Sequence, residues 1–216
     1  MFNNLIPTTM KLQFGELVIT PRVEERLEEL GYTAEELQEA VNEHKSELDG
    51  NPSAYVGTYF KYNEGSLRGL WIDLTSFYTY SDFINFCKAI HADESDPELM
   101  QQDYENYPRD WYSEGFMSEE EFKNIQEYCE LCEEFSKEAV DAFMDWGSEP
   151  LYRFKECYMG EWDSEEDFAE HLVSEVYDVE RNMGHLANYF DYARYARELF
   201  ECGDYHYDNG FVFRPY

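Results

Sequence analysis

Residues 118–146 read SEEEFKNIQEYCELCEEFSKEAVDAFMDW, and this stretch decides the fold in the middle of the chain. Ser118 and Glu121 have the spacing of a capping box, which is typical of a helix N-terminus. Apolar residues then recur every three or four positions, at Phe122, Ile125, Cys129, Cys132, Phe135, Ala139, Phe143 and Trp146. This period predicts a helix with one narrow apolar stripe and an acidic remainder. A break near Ser136 is compatible with the pattern.

The charge of the whole chain is strongly negative. It has 48 acidic and 16 basic side chains, a formal net charge of -32 and a pI near 4.2. Its aromatic content of 18% excludes a disordered acidic chain, since such chains lack the apolar surface that ordering requires. Residues 89–149 alone hold 19 acids and three bases. A folded body of this charge is suited to a positively charged partner. On duplex DNA, 32 charges correspond to about 16 base pairs.

The acids of this middle region are therefore the predicted partner-binding residues, standing where DNA phosphates would stand. They are Asp93, Glu94, Asp96, Glu98, Asp103, Glu105, Glu114, Glu119, Glu120, Glu127, Glu130, Glu134, Glu138, Asp141 and Asp145.

The N-terminal residues predict a small helical extension. Val23–Leu30 and Ala34–Leu48 indicate two helices, and Thr33 with Glu36 forms a second capping box. Residues 49–53 are a cluster of turn-forming residues, which places a domain boundary there.

The next part predicts a β-hairpin followed by a helix. Residues 55–60 and 67–74 are strand-like, and residues 61–65 between them are of turn type. The helix begins near Ser81, with its inward face at Phe83, Phe86, Cys87 and Ile90. Residues 91–108 are expected to be an acidic, aromatic loop.

The C-terminal part predicts two capped helices and a hairpin. Ser164 and Asp191 are of the residue types that begin helices. Asn209 and Gly210 form a strong type I′ turn signal, with residues 211–213 as the returning strand.

No residues form a recognisable catalytic, cofactor-binding or metal site. Cys129 and Cys132 are a lone pair on the predicted apolar stripe, where packing is a better explanation than zinc. The five histidines are dispersed, and we expect most of them to be exposed. Five scattered cysteines favour free thiols in a reducing cytoplasm. We expect no enzyme activity, no cofactor, no signal peptide and no binding to nucleic acid or membranes.

The stretch YVGTYFKYNEGSLRGLWIDL, residues 55–74, resembles the opening of the ArdA family of antirestriction proteins. The resemblance continues in blocks at residues 91–105, 160–169, 189–200 and 212–214, and covers residues 54–216. Residues 1–53 lie outside it.

The resemblance implies an antirestriction protein of mobile elements, a DNA mimic that occupies the DNA-binding groove of type I restriction–modification enzymes. It implies an α+β fold, an elongated chain of small domains with short antiparallel sheets and a central helical domain. The domains are then 54–110, 111–160 and 161–216, after a helical extension at 1–53. It also implies a cytoplasmic homodimer.

The family's dimer contact should map to Leu186, Ala187, Tyr189, Phe190 and Asp191. The preceding residues 181–184 fit the family pattern poorly, because Arg181 stands where an acid is expected.

Three other functions stay open from the sequence. The chain could be an acidic module that mimics DNA toward a different DNA-binding protein. It could be a halophilic structural protein with a solvated acidic surface, or a hydrolase with a metal held by acids.

Overall fold

The computed structural model describes residues 8–46, 50–113 and 115–216. The chain forms two compact units, the first ending at Cys129 and the second running from Glu130 to Tyr216. Helices and small antiparallel sheets occur in both, so the expected α+β class is confirmed. The expected four-part division does not coincide with these two units, and it stays a prediction.

The first unit is built from two short sheets and several helices. In chain order it contains β1 (Thr8–Lys11), β2 (Glu16–Ile19), α1 (Pro21–Glu29), α2 (Ala34–Ser46), β3 (Ser53–Thr58), α3 (Tyr59–Asn63), β4 (Leu70–Asp73), α4 (Tyr80–Ala89), β5 (Leu99–Glu105) and the start of α5 (Glu119–Glu134). The strands β1 and β2 form a hairpin that was not expected from the sequence. The second sheet has the order β4-β3-β5, and both pairings are antiparallel.

Two expectations for residues 54–110 need correction. The predicted hairpin strands pair, but α3 replaces the expected turn. The Thr58 hydroxyl accepts the Lys61 backbone N–H at 3.3 Å and so begins this helix. The expectation of a loop throughout 91–108 is wrong, because β5 lies within it and pairs with β3.

The N-terminal elements are not packed separately from the rest of the first unit. Buried side chains of β1, β2, α1 and α2 share one core with β3, β4 and α4. The two predicted helices are present, and the Thr33–Glu36 capping box forms with both backbone bonds. Leu48, the predicted end of the second helix, lies outside the described residues. The core across the predicted boundary at 49–53 includes Met10, Leu17, Leu27, Leu37, Val41, Val56, Ile72 and Phe86.

The acidic helix of residues 118–146 is confirmed with its break. Ser118 and Glu121 form the capping box that begins α5. Ser136 is in an extended conformation and accepts the Ala139 N–H at 3.1 Å, which starts α6 (Lys137–Trp146). Gly147, with φ of 64°, ends α6 in the left-handed conformation that glycine adopts without strain.

The second unit packs helices with a three-stranded sheet. After α6 come α7 (Phe154–Cys157), β6 (Tyr158–Glu161), α8 (Glu165–Tyr177), α9 (Val179–Met183), α10 (Tyr192–Glu201), β7 (His206–Asp208) and β8 (Phe211–Phe213). Ser164 and Asp191 cap α8 and α10 as expected. The sheet order is β6-β8-β7. Asn209 and Gly210 both have positive φ, as a two-residue hairpin turn of this type requires.

Candidate acidic interface

The first two acids of the predicted surface are already held by bases of this chain. Lys61 forms ion pairs with Asp93 at 3.2 Å and with Glu94, and only 7% of Lys61 is exposed. Arg68 Nη1 and Nη2 donate to the two Asp93 oxygens at 2.6 and 3.0 Å. The Thr58 hydroxyl donates a hydrogen bond to the Glu94 carboxylate at 2.7 Å. Asp93 and Glu94 therefore hold the turn after α4 in place.

The electrostatics at Asp93 agree with this arrangement. Burial raises the pKa of its carboxyl, but the hydrogen bond and charge of Arg68 and the charge of Lys61 outweigh burial and lower it overall. Arg26 of α1 fastens the same turn, because its Nη1 donates to the carbonyl oxygens of Ala92 at 2.8 Å and Glu94 at 2.5 Å.

The next four acids face solvent. Asp96 and Glu98 are exposed in the segment that leads into β5. Along β5 the outward positions alternate, which exposes Asp103 and Glu105. β5 is an edge strand of the sheet β4-β3-β5, and charged side chains on an edge strand also discourage pairing with another chain. Glu114 lies outside the described residues.

The acids of α5 and α6 surround the apolar stripe. The predicted stripe needs correction in α5, where Phe122 and Ile125 are buried as expected but Tyr128 and Leu131 are buried in place of Cys129 and Cys132, which are half-buried. On the other faces, Glu127 and Asp141 are half-buried and the remaining predicted acids are exposed: Glu119, Glu120, Glu130, Glu134, Glu138 and Asp145.

Three of these helical acids already pair with lysines of this chain. Glu119 contacts Lys123 at 2.7 Å, Asp141 contacts Lys137 at 2.7 Å, and Glu134 contacts Lys155. Most of these side chains are more than half exposed, so each pair contributes only about 0–1 kcal/mol and is readily exchanged.

Within the described ranges, seven predicted acids are exposed and have neither an ion pair nor a side-chain hydrogen bond. They are Asp96, Glu98, Glu105, Glu120, Glu130, Glu138 and Asp145. Carboxylates of this kind need no internal bond to be broken before they bind an external cation.

Other exposed acids lie outside the predicted set. Residues 89–149 hold 19 of the 48 acids of the chain, yet α1 and the first turns of α8 are also acidic and exposed. For some of them a signal exists in the sequence, namely the acidic first helical turn that follows a capping residue, with Glu24 in α1 and with Glu165, Glu166 and Asp167 in α8. These other exposed acids are Glu24, Glu25, Glu28, Glu29, Glu165, Glu166, Asp167 and Glu170.

The predicted dimer residues fall into two groups. Leu186 and Tyr189 are 51% and 83% exposed. Phe190 instead packs on Tyr192 and Tyr195, at ring distances of 4.9 and 5.6 Å. Ala187 is half-buried, and the Asp191 carboxylate accepts a hydrogen bond from the Arg194 N–H at 3.0 Å as the cap of α10. Met183, exposed at 41%, was not predicted because 181–184 fitted the expected motif poorly.

Groups with reactive chemistry are scattered in the part of the chain that is described. Among these residues no three His, Cys, Asp or Glu side chains are arranged to hold a metal. The expectation that most histidines are exposed is wrong, since only His171 and His185 of the five are exposed, His206 is half-buried, and His44 and His91 are buried. Burial is the main reason that the pKa values of His44 and His91 fall to about 4 and about 3. No described helix has the length and apolar character needed to cross a membrane.

Comparison with known proteins gives one family. No curated protein matches the chain significantly. The sequence model of the family described as antirestriction protein (ArdA) matches residues 54–213. This match spans well over half of the 216 residues. The chain therefore belongs to the ArdA family of antirestriction proteins.

Proposed function

We propose that this protein is a stoichiometric inhibitor that occupies the DNA-binding groove of a type I restriction–modification enzyme and so protects incoming mobile-element DNA. Family membership implies an antirestriction function, exerted by inhibition rather than by catalysis. The observation that carries the DNA-mimic mechanism is the set of seven exposed, unpartnered acids between residues 96 and 145, counted over the described residues.

Two physical arguments support this mechanism. A net charge of -32 attracts a cationic groove over a distance, which speeds association at low salt. The acids stand on β5, α5, α6 and the short segment before β5, so little ordering entropy is lost on binding. Because the charge is spread over many side chains, each exposed acid should contribute well under about 1 kcal/mol to the free energy of binding.

A displacement experiment with matched variants tests the proposal. The purified protein is titrated into a type I methyltransferase core that holds fluorescently labelled target DNA. One variant neutralises four unpartnered acids, as Asp96→Asn, Glu98→Gln, Glu130→Gln and Glu138→Gln. The control neutralises four exposed acids of α1, which lies outside the family match, as Glu24→Gln, Glu25→Gln, Glu28→Gln and Glu29→Gln.

Both variants lose four negative charges, so a difference between them in DNA displacement shows that the position of the acids matters. At about 0.5 kcal/mol per acid, we expect the first variant to displace DNA roughly thirtyfold less well, and the control to differ little from the parent. Equal losses in both would mean that only total charge matters. No loss in the first variant would exclude these acids as the contact.

We propose further that residues 186–191 provide the contact between two copies. Leu186 and Tyr189 are large and exposed, and such side chains are typical of an apolar contact patch. Leu186→Glu should lower the mass measured by sedimentation velocity, whereas Leu67→Glu, at a residue that is 65% exposed in the first unit, should not. An unchanged mass for Leu186→Glu would place the contact elsewhere.

A further inference from the structure

An open cavity of about 320 Å³ lies in the first unit, apart from the acids of the predicted interface. The α2 helix forms one side of it, and the residues after β4 with the start of α4 form the other. Since α2 lies outside the family match and α4 inside it, the N-terminal segment completes this cavity.

Aromatic rings make up much of its lining. His44 stacks on Phe77 with ring centroids 5.4 Å apart, and it lies 4.8 Å from Phe86. Tyr32 meets Phe86 edge-on at 6.2 Å. These packed rings form one wall of the cavity, whereas Tyr78, also part of the lining, is 99% exposed.

The charged side chains of the described lining are acidic. Glu43 and Asp82 both contribute to the lining, and no lysine or arginine of the described residues does. Asp82 lies in the first turn of α4, where its carboxylate accepts a hydrogen bond from the Thr79 hydroxyl at 2.6 Å. Its charge reaches the aromatic wall, since after burial it is the next cause of the raised pKa of Tyr32. Burial lowers the pKa of His44 to about 4, so this ring is neutral at pH 7.

We propose that this cavity binds the guanidinium group of one arginine side chain from a basic protein partner. A planar guanidinium can stack on aromatic faces and at the same time donate in a fork to a carboxylate, which a lysine ammonium cannot do. The net charge of -32 selects for basic partners. The cavity would thus give one focused contact, in addition to the dispersed contacts of the acidic interface, and it does not depend on which protein the partner is.

The test uses the full chain and a small probe, so it is separate from the inhibition assay. N-acetyl-arginine amide is titrated at constant ionic strength while the backbone amide signals of the ¹⁵N-labelled protein are followed by NMR. We expect saturable shifts at Ser76, Phe77 and Tyr78, which line the cavity. The neutral citrulline analogue should give none, and N-acetyl-lysine amide should bind several-fold more weakly.

Two variants and two matched controls complete the experiment. Tyr78→Ala and Asp82→Asn should each weaken binding about fivefold, the usual size of a partly exposed cation–π or charge contact. Because Tyr78 is almost fully exposed, its removal should leave the fold intact. Tyr62→Ala and Glu170→Gln, at exposed residues outside the cavity and outside the predicted acidic interface, should bind like the parent.

The proposal is overturned by any of three results. These are no saturable shift at the cavity up to the solubility of the probe, equal binding of the lysine or citrulline analogue, or parent-like binding by both Tyr78→Ala and Asp82→Asn.

Discussion

Replacing Lys61 by methionine should destabilise the first unit by about 3 kcal/mol. Lys61 is 7% exposed, and its ammonium group contacts both Asp93 and Glu94. Methionine keeps much of the side-chain volume but removes the charge. Asp93 then keeps its ion pair with Arg68, whereas the Glu94 carboxylate keeps the hydrogen bond from the Thr58 hydroxyl. Since the Glu94 side chain is 12% exposed, a nearly buried carboxylate loses the counter-charge of Lys61.

The size of the effect is set by this burial. Removing one partner of a buried ion pair costs about 3–5 kcal/mol, and the remaining exposure of Glu94 places Lys61→Met at the lower end. Glu94→Gln should cost about 1–2 kcal/mol, because Lys61 still has Asp93 at 3.2 Å. The double variant should lose less than the sum of the two, by about 1–3 kcal/mol.

Urea unfolding followed by circular dichroism measures these differences. The control is Lys123→Met, which breaks a pair whose side chains are 68% and 59% exposed, and it should cost under about 1 kcal/mol. A Lys61→Met protein as stable as this control would refute the buried-pair reasoning. Folded Glu94→Gln should also displace labelled DNA like the parent. A large loss of DNA displacement in this variant would show that Glu94 contacts the partner directly.

Three further predictions test the core, the buried histidines and the charge. Leu27→Ala should cost about 2–5 kcal/mol because Leu27 is 1% exposed in the shared core, while Leu67→Ala at a 65% exposed residue should cost little; thermal unfolding of the full chain would contradict this if both melted alike. The stability that His44 and His91 contribute should be lost as pH drops from about 6.5 toward 3, because these histidines bind protons in the unfolded chain, whereas burial lowers their pKa values to about 4 and about 3 in the folded chain. His91→Leu should flatten this fall in urea midpoints measured across the pH range, and an unchanged slope would contradict the assignment. Moderate salt should raise the melting temperature of the free protein and weaken its binding to the methyltransferase core, since screening relieves self-repulsion and attraction alike; salt-independent values would refute a dominant role of charge.

Features that depend on a few neighbouring residues could be predicted from the sequence. The capping box at Ser118, the break at Ser136 and the turn at Asn209-Gly210 all form. Each is decided by a side chain or a φ angle within four residues, so no distant partner has to be known.

The strand β5 could not be recognised in this way. Its acidic outward residues Asp103 and Glu105 are typical of a loop, and only Leu99, Met100 and Gln101 are buried in succession. Strand formation here depends on pairing with β3, more than 40 residues earlier, and cross-strand pairing overrides a weak local preference.

The packing of the N-terminal segment could not be predicted for a related reason. The turn-forming residues 49–53 indicate a break in the chain, but a break in the chain need not be a break in the core. Leu17 and Leu27 belong to the same core as Val56 and Phe86, and Arg26 donates to the carbonyl oxygen of Ala92. These contacts join residues dozens of positions apart, and no local pattern reveals them.

The candidate site was predicted as a set of acids, and the structure separates that set by what each carboxylate already binds. Asp93 and Glu94 cannot be released without leaving Lys61 unpaired in the interior, which costs several kcal/mol. Glu119 and Asp141 can exchange their exposed lysines for a partner's cation at about 1 kcal/mol or less. Acids without such pairs need no exchange before an external cation binds. Net charge alone therefore overstates the number of negative charges that a partner can contact. Lys61 and the nearly buried Arg68 already neutralise Asp93 and Glu94 within the chain.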